Sequence, residues 1–395
     1  MNVPLLDLKP QLAALRPQIM EAVTRIIDST GYILGPEVVE FEQKIARYCG
    51  TDEAIGVSSG TDALLAALMS LDIGPGDLVL TTPYTFFATM GTVLRVGAKP
   101  LFVDIEPRSF NIDPEAIEQA LAADRSSGCH VKAIMPVHLY GQCADMQRIG
   151  ALAEKYEIPV IEDAAQAIGA EYPFADGGKT VWKRAGSLGL CGCFSFFPSK
   201  NLGGIGDGGM ITTSDSVFAD TVRSNRNHGA EPKYYHSRVG GNFRLDPIQA
   251  AVLSVKLEYL ESWHACRRRN AALYRQYFQQ AGLIDNPVTL PEAVYAAFAG
   301  AEQHNHHVYN QFVILVPERD SLREYLQRHS IGSEIYYPLS LHQQECLRAK
   351  EYQQASYPIA EHAAAHSLAL PIFPELTPEQ LAYVVEIIEQ FYRTR

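Results

Sequence analysis

The sequence lacks the features that mark membrane, secreted and nucleic-acid-binding proteins. No apolar run approaches the roughly 18 residues of a membrane-spanning helix, and the N-terminal apolar stretch is interrupted by Asp7 and Lys9, unlike a signal peptide. Arg267–Arg269 is the only basic triplet in a chain of net charge −12, whereas nucleic acids are bound by clustered lysine and arginine. We therefore expect a cytoplasmic protein that binds neither membrane nor nucleic acid.

Several nucleotide and redox signatures are also missing. The chain has no G-x-x-x-x-G-K-[ST], and no G-x-G-x-x-G follows the first predicted strand, so neither a P-loop NTPase nor a dinucleotide-binding domain is indicated. The cysteines are odd in number, scattered, and without a C-x-x-C, which favours a reducing compartment. They are Cys49, Cys129, Cys143, Cys191, Cys193, Cys266 and Cys346.

What the chain does contain is the alternation of an α/β fold. Strand patterns within 54–71, 74–89, 99–106, 131–141 and 158–170 are separated by helical patterns, which predicts a mostly parallel sheet with helices on both faces. After Leu245 a long helix is predicted from Asp246 to about Gln280, broken near Trp263 at most. Strand-like 311–316 and 334–338 then alternate with helices at 320–329, 358–366 and 377–392. We expect two domains, residues 1–250 with the N-terminal arm, and residues 251–395 with the connecting helix and a smaller α+β unit.

A lysine lies between an aromatic strand and a glycine-rich loop. Phe194, Phe196 and Phe197 form the strand, Pro198 ends it, and five glycines follow Lys200 between residues 203 and 209. Partial burial there favours the neutral, nucleophilic amine. The alternative is a solvated surface charge.

Other candidate residues fall at the carboxyl ends of predicted strands, where open α/β sheets bind ligands. Gly60 and Thr61 begin a helix whose free amides suit a phosphate, although an ordinary cap by Ser59 or Thr61 would look the same.

Glu162 and Asp163 end a buried strand, and alternation directs one of them inward, where a carboxylate needs a cation such as a protonated ring nitrogen. A helix cap is the alternative. Phe86 is placed to stack on a flat ring, or to fill the core. Together these residues match what pyridoxal 5'-phosphate needs. It needs a lysine for a covalent bond, an acid for the ring nitrogen, a helix N-terminus for the phosphate and an aromatic side chain that stacks on the ring.

The sequence resembles the DegT/DnrJ/EryC1/StrS family of pyridoxal-phosphate-dependent nucleotide-sugar aminotransferases. The resemblance runs from about residue 3 to the C-terminus, in GYILGPEV (31–38), SSGTDALLAAL (58–68), YTFFAT (84–89), PVHLYGQCADM (136–146), IEDAAQAIGA (161–170), FSFFPSKNLGGIGDGGM (194–210) and GGNFRLDPIQAA (240–251). It implies the type I aminotransferase fold, with a mostly parallel, seven-stranded-type sheet between helices and a smaller C-terminal α+β domain.

The resemblance also implies roles for individual residues. Lys200 would bond the cofactor and act as the catalytic base and acid. Asp163 would hold the ring nitrogen, Phe86 would stack on the ring, and Gln166 would lie near the ring hydroxyl. The phosphate would be held by Gly60, Thr61 and Ser195, with Asn242 reaching it from the neighbouring subunit of a homodimer with shared sites. Positions that meet the sugar nucleotide in relatives correspond to Tyr32, Arg244, Tyr337 and His342.

The implied reaction transfers an amino group from an amino acid, usually L-glutamate, to a nucleotide-linked keto sugar. Segment 228–242 is similar to the version in enzymes acting at C3, so a dTDP- or UDP-linked 3-keto sugar is expected, with a C4 aminotransferase as the alternative. Family dehydratases carry histidine where this chain has Lys200, and a regulatory protein would not need the lysine, acid and phosphate set.

Two segments depart from this pattern or compete with it. Residues 171–189 are about eight residues longer than the usual family turn, which predicts an extended hairpin near the site, in contact with substrate or a partner subunit. A metal site at His304, His306 and His307 is disfavoured because this polar run suggests no convergent ligands, so no metal is expected.

Overall fold

A computed structural model describes residues 1–128, 130–347, 352 and 355–394. The helices are α1 Lys9–Ser29, α2 Pro36–Cys49, α3 Gly60–Ser70, α4 Phe87–Arg95, α5 Pro114–Ser127, α6 Met146–Tyr156, α7 Ser216–Arg226, α8 Pro247–Leu257, α9 Leu260–Gln280, α10 Arg319–Arg328, α11 Pro358–His366 and α12 Pro378–Arg393. The strands are β1 Glu53–Val57, β2 Leu78–Thr81, β3 Lys99–Phe102, β4 Val131–Ile134, β5 Ile161–Asp163, β6 Glu171–Asp176, β7 Lys179–Arg184, β8 Cys191–Ser195, β9 Gly209–Thr213, β10 Phe312–Leu315 and β11 Ser367–Leu370.

Within the described residues, seven strands form the central sheet in the order β3-β2-β4-β5-β8-β9-β1. Two ladders, β3-β2-β4 and β5-β8-β9-β1, are joined by parallel bridges from Ile134 to Val160 and from Val137 to Asp163. β9 runs antiparallel to both neighbours, whereas the other neighbouring pairs are parallel. The prediction of a mostly parallel α/β sheet is confirmed.

The helices cover this sheet through apolar faces spaced as in an amphipathic helix. In α2, Val38, Phe41, Ile45 and Cys49 are buried, after Pro36 begins the helix and before Gly50 ends it in a left-handed conformation. α3 is apolar on every side and packs between the sheet and its neighbouring helices α4 and α7. It is therefore held rigidly where its N-terminus meets the ends of β8 and β9.

The long helix predicted from Asp246 to Gln280 is two helices. α8 ends at Leu257 and α9 begins at Leu260. The break therefore lies a few residues before Trp263, near which it was expected. The residues between the helices include neither proline nor glycine, so the sequence has no strong signal for the exact position of the break.

The C-terminal part has its own apolar core, which contains Tyr274, Phe278, Phe312 and Leu370. β10 pairs with β11, a strand that the sequence analysis missed. The strand predicted at 334–338 is wrong, because only Glu334 pairs, through a single bridge to Ala369. The N-terminal arm joins this part through a bridge from Val3 to Ile331.

Residues 171–184 form the predicted hairpin, β6 paired antiparallel with β7. Trp182 anchors it, because its ring stacks on His304 at 4.6 Å and its Nε1 donates to the carbonyl of Ala299 at 3.2 Å. The hairpin therefore rests on the segment that leads into the C-terminal part.

Three further observations concern the described residues. No helix there is long and apolar enough to cross a membrane. The same part of the chain contains no group of three or more His, Cys, Asp or Glu side chains suited to a metal ion. Its six cysteines are free, and Cys129 lies outside the described residues.

Candidate active site

A cavity of about 450 Å³ opens at the carboxyl ends of the central parallel strands. It brings together most of the residues singled out in the sequence, which come from five separate regions of the chain. These lining residues are Gly60, Thr61, Phe86, Asp163, Gln166, Ser195, Lys200 and Tyr337. Two larger clefts, of about 770 and 940 Å³, contain none of them.

Lys200 sits on a tight turn that the sequence encodes through Pro198 and the following glycines. Its backbone N–H donates to the carbonyl of Phe197 at 2.8 Å, and a Cβ on Gly203 would collide with the carbonyl of Pro198. Burial lowers the pKa of the Lys200 ammonium to about 8, although the nearby charge of Asp163 opposes this shift. A large share of the amine is therefore neutral near pH 8.

Asp163 ends β5 and faces the cavity with few partners. Its Oδ2 accepts a hydrogen bond from Thr89 Oγ1 at 2.7 Å, and its Oδ1 accepts one from the Ala165 N–H at 3.2 Å. Burial raises the pKa of this carboxyl, while the Thr89 and Ala165 bonds and the charge of Lys200 lower it. A cationic group in the cavity would find an acceptor here.

Glu162, the neighbouring residue in β5, points away from the cavity and is fully satisfied. Its carboxylate accepts hydrogen bonds of 2.7 to 2.8 Å from the backbone amides of Gly186, Leu188 and Gly189. His138 Nε2 donates at 2.9 Å, because His138 Nδ1 already accepts from a backbone N–H. The inward acid left open by the sequence pattern is therefore Asp163.

The start of α3 provides free backbone donors. Ser59 caps the helix by accepting from the Asp62 N–H at 3.0 Å, and the first helical bond runs from the Ala63 N–H to the Ser59 carbonyl. The amides of Gly60 and Thr61 precede that bond and so lack a partner within the helix. A Cβ on Gly60 would lie 2.7 Å from Cβ of Ser195, so only glycine lets the helix start approach β8 this closely.

Gln166 and Tyr337 line the cavity and are hydrogen-bonded to each other. Gln166 Oε1 accepts from the Tyr140 N–H at 2.7 Å, and its Nε2 donates to the Tyr337 hydroxyl at 3.1 Å. Phe86 is 57% exposed, with its ring 6.1 Å from that of Tyr337. Its face is thus available to a flat ligand.

Four predicted residues do not line this cavity. Asn242 is exposed, and its backbone pairs with Asn227. Arg244 donates to the Asn227 side chain at 2.8 Å, and Tyr32 is 48% exposed. His342 is buried, with Nδ1 3.0 Å from Ser340 Oγ and Nε2 3.2 Å from Glu361.

The sequence analysis missed two threonines, Thr85 and Thr89, whose hydroxyls lie behind Asp163. Thr85 precedes the N-cap of α4 and Thr89 lies in its first turn, and both are buried, Thr85 at 2% and Thr89 at 0% exposure. The sequence offered no spacing signal for this pair, because Thr85 lies outside the helix and the contact depends on how the chain turns into α4.

These residues fit pyridoxal 5'-phosphate. The free amides at the α3 start and the Ser195 hydroxyl suit a phosphate, the half-exposed Phe86 ring suits a flat heterocycle, and Asp163 suits a protonated ring nitrogen. Lys200 offers a partly neutral amine for the aldehyde.

Comparison with known proteins agrees with this geometry. The sequence model of the DegT/DnrJ/EryC1/StrS aminotransferase family matches residues 13–389. The "Pleiotropic regulatory protein" of Geobacillus stearothermophilus is 46% identical over 100% of this chain and 99% of its own length. The "UDP-N-acetyl-3-dehydro-alpha-D-glucosamine 3-aminotranferase" of Acidithiobacillus ferrooxidans is 42% identical over 98% of this chain and 97% of its own.

A solved structure matches equally broadly. DesV of S. venezuelae, crystallised in complex with a ketimine intermediate, superposes with a TM-score of 0.88 at 38% identity. The match covers 99% of this chain and 98% of that one.

Proposed function

The chain belongs to the DegT/DnrJ/EryC1/StrS aminotransferase family, and we propose that it transfers an amino group from L-glutamate to C3 of a dTDP- or UDP-linked 3-keto sugar. The observation that carries the proposal is the desolvated Lys200 facing Asp163 in a cavity that also contains a helix start. The similarity to a UDP-sugar 3-aminotransferase supports both the substrate class and the position. The similarity of segment 228–242 to that of C3 enzymes agrees with it.

The cofactor of this family is pyridoxal 5'-phosphate. When bound, it supplies an aldehyde that takes up amino groups and a ring that accepts the electrons released on the substrate carbon. We assign Lys200 as the residue that bonds it, Asp163 as the ring-nitrogen partner and Phe86 as the stacking ring. Gln166 would lie near the ring hydroxyl, and Gly60, Thr61 and Ser195 would hold the phosphate.

In this proposal Lys200 transfers the proton of the reacting carbon, and Asp163 holds the proton of the ring nitrogen. The Lys200 amine, once freed by the amino donor, takes the proton from the donor carbon and returns it during transfer, as general base and acid. Its pKa of about 8 suits both directions near neutral pH. The Asp163 carboxylate holds the proton on the ring nitrogen, so that negative charge developing beside it is stabilised.

We further propose that the active unit is a homodimer in which Asn242 of one subunit completes the phosphate site of the other. The segment before Asn242 exposes large apolar side chains, Tyr234 at 79%, Tyr235 at 70% and Val239 at 91%. Such exposure is typical of a surface covered by a partner. Arg244, Tyr32 and His342 stay predictions for sugar-nucleotide contacts, together with Tyr337.

A regulatory role is the second candidate, because of the name of the Geobacillus relative. Regulation alone does not require a lysine whose pKa burial lowers to about 8 beside a buried carboxylate. The enzyme proposal therefore accounts for more of the site.

The test uses the purified protein with pyridoxal phosphate, glutamate and a panel of UDP- and dTDP-linked 3-keto and 4-keto sugars, with the new amine located by NMR. We expect amination at C3 and a loss of at least roughly 1000-fold in Lys200→Ala, which also loses the absorbance of lysine-bound cofactor. Lys179→Met is the control, since Lys179 is exposed on the hairpin and does not line the cavity. A C4 product, or an unchanged spectrum in Lys200→Ala, would contradict the proposal.

A further inference from the structure

Two threonine hydroxyls form a hydrogen-bonded chain that ends on Asp163. Thr89 Oγ1 lies 2.7 Å from Asp163 Oδ2, and Thr85 Oγ1 lies 3.1 Å from Thr89 Oγ1. All three side chains are almost excluded from solvent, at 2%, 0% and 4% exposure for Thr85, Thr89 and Asp163. Thr85 also lines the cavity, so the chain connects the cavity wall with the carboxylate.

The number of available hydroxyl protons fixes the direction of both hydrogen bonds. An ionised carboxylate only accepts hydrogen bonds, so Thr89 must donate its single hydroxyl proton to Asp163. Thr89 can then only accept from Thr85, which must be the donor of the outer bond. The arrangement Thr85 to Thr89 to Asp163 is therefore complete when Asp163 carries a negative charge, and each bond polarises the next.

Thr89 does not behave like the neighbouring buried threonine of the same helix. The Thr92 hydroxyl is also fully buried, but it donates to the Ala88 carbonyl one turn back at 3.0 Å, as helical threonines commonly do. Thr89 instead reaches across to β5. Helix packing alone does not require that contact.

We propose that Thr89, supported by Thr85, is a positioning residue that keeps Asp163 ionised and aimed at the ring nitrogen of the bound cofactor. The proposal rests on the role proposed above for Asp163. Burial without a donor would favour the neutral acid, which cannot hold a ring-nitrogen proton by charge.

Other groups face Asp163 from each packed element and act in known directions. Lys200 after β8 favours its charged form, and His138 after β4 would act in the same direction when protonated. Burial opposes it. Burial also raises the pKa of the Tyr337 hydroxyl and of the Cys193 thiol, and the charge of Asp163 adds to both shifts. These groups are the same in a Thr89 variant, so a change in its pH dependence reports on the hydroxyl.

The experiment measures the dissociation constant of pyridoxamine phosphate from the cofactor-free protein across pH. This probe carries an amine instead of the aldehyde, so it does not bond to Lys200 and its ring contacts can be followed alone. We expect Thr89→Val to weaken binding roughly tenfold near neutral pH, because a hydrogen bond to a charged group is lost. The pH at which binding is lost on the acidic side should rise by about one unit in this variant, since Asp163 is then protonated at higher pH.

Three variants make the result decisive. Thr89→Ser restores the hydroxyl and should bind like the wild type, Thr85→Val should raise the pH at which binding is lost on the acidic side by less, and Thr92→Val should change neither quantity. Wild-type affinity and pH dependence in Thr89→Val, or an equal change in Thr92→Val, would overturn the proposal. If Asp163→Asn loses affinity while Thr89→Val does not, the role of Asp163 stands and only this inference fails. If Asp163→Asn also binds normally, the role proposed for Asp163 fails.

Discussion

Adjacent carboxylates on one short strand do different work because of the number of donors that each receives. Glu162 accepts four hydrogen bonds, three of them from the backbone that follows the hairpin, and so it ties that segment to β5. Asp163 receives two and keeps capacity for a ligand. The sequence predicted that one acid would face inward, but the choice between them depended on backbone amides from residues 186–189, which no local pattern reveals.

The shifted pKa of Lys200 predicts how stability changes with pH in the cofactor-free protein. The native pKa is about 8 and lies below the ordinary 10.5, so the unfolded chain binds more protons between these values and stability rises with pH across that window. Below pH 8 the buried amine is charged in the native protein, so the full free-energy cost of burying that charge is present. We expect Lys200→Met to raise the free energy of unfolding by roughly 1–3 kcal/mol at pH 7, measured with urea, and to lose this advantage as pH approaches 10.5.

Lys179→Met serves as the control for that experiment, because Lys179 is exposed and its replacement removes a lysine charge that is not buried. If the difference in unfolding free energy between Lys200→Met and the wild type stays constant with pH, the pKa of Lys200 is not lowered in the native protein.

At the scale of elements, helices of the C-terminal part with one apolar face were predicted to within about two residues, as for α10 and α12. β11 was missed because its short apolar run, 367–370, follows α11 without a break, and only pairing with β10 makes it a strand. The wrong strand at 334–338 has the opposite cause, since its residues have strand propensity but only Glu334 finds a partner. Both outcomes depend on tertiary contacts.

The hairpin was expected near the site, yet none of the lining residues comes from 171–184. Trp182→Ala removes the stack on His304 and the bond to Ala299, so we expect a loss of roughly 1–3 kcal/mol in urea unfolding. The KM for the sugar nucleotide should stay unchanged.

Val181→Ala is the matched control, as Val181 is the next residue along the strand, points to the other face and is 39% exposed. A raised KM in Trp182→Ala with normal stability would instead indicate that the hairpin contacts substrate.

For the whole molecule, the cavity could be predicted from the sequence because parallel strands bring their carboxyl ends together. Residues after β1, β2, β5 and β8 meet for that reason, although they are far apart in the chain. Asn242 is absent from this cavity, and we attribute this to the second subunit, whose phosphate site we propose that it completes. The division into residues 1–250 and 251–395 stays a proposal, in which Val3 of the arm contacts the C-terminal part.

A shared site predicts complementation between two inactive variants. Lys200→Ala and Asn242→Ala should each form dimers with little activity, whereas a mixed dimer contains one site with both native residues. After subunit exchange of equal amounts, we expect about a quarter of the wild-type sites to be active, measured as product formed and as cofactor bound. No recovery despite confirmed exchange, or a monomeric mass for the active protein, would exclude sharing.

The position of β1 at the edge of the sheet affects how the chain is synthesised. β1 (residues 53–57) has β9 (residues 209–213) as its neighbour, so its backbone stays without that partner until residues 58–208, which separate the two strands, have been synthesised. Helix α3, which packs on Ser195, waits for the same event. During that interval the nascent protein exposes an apolar strand without its neighbour, and such unpaired strands are prone to pair with other chains before folding is complete.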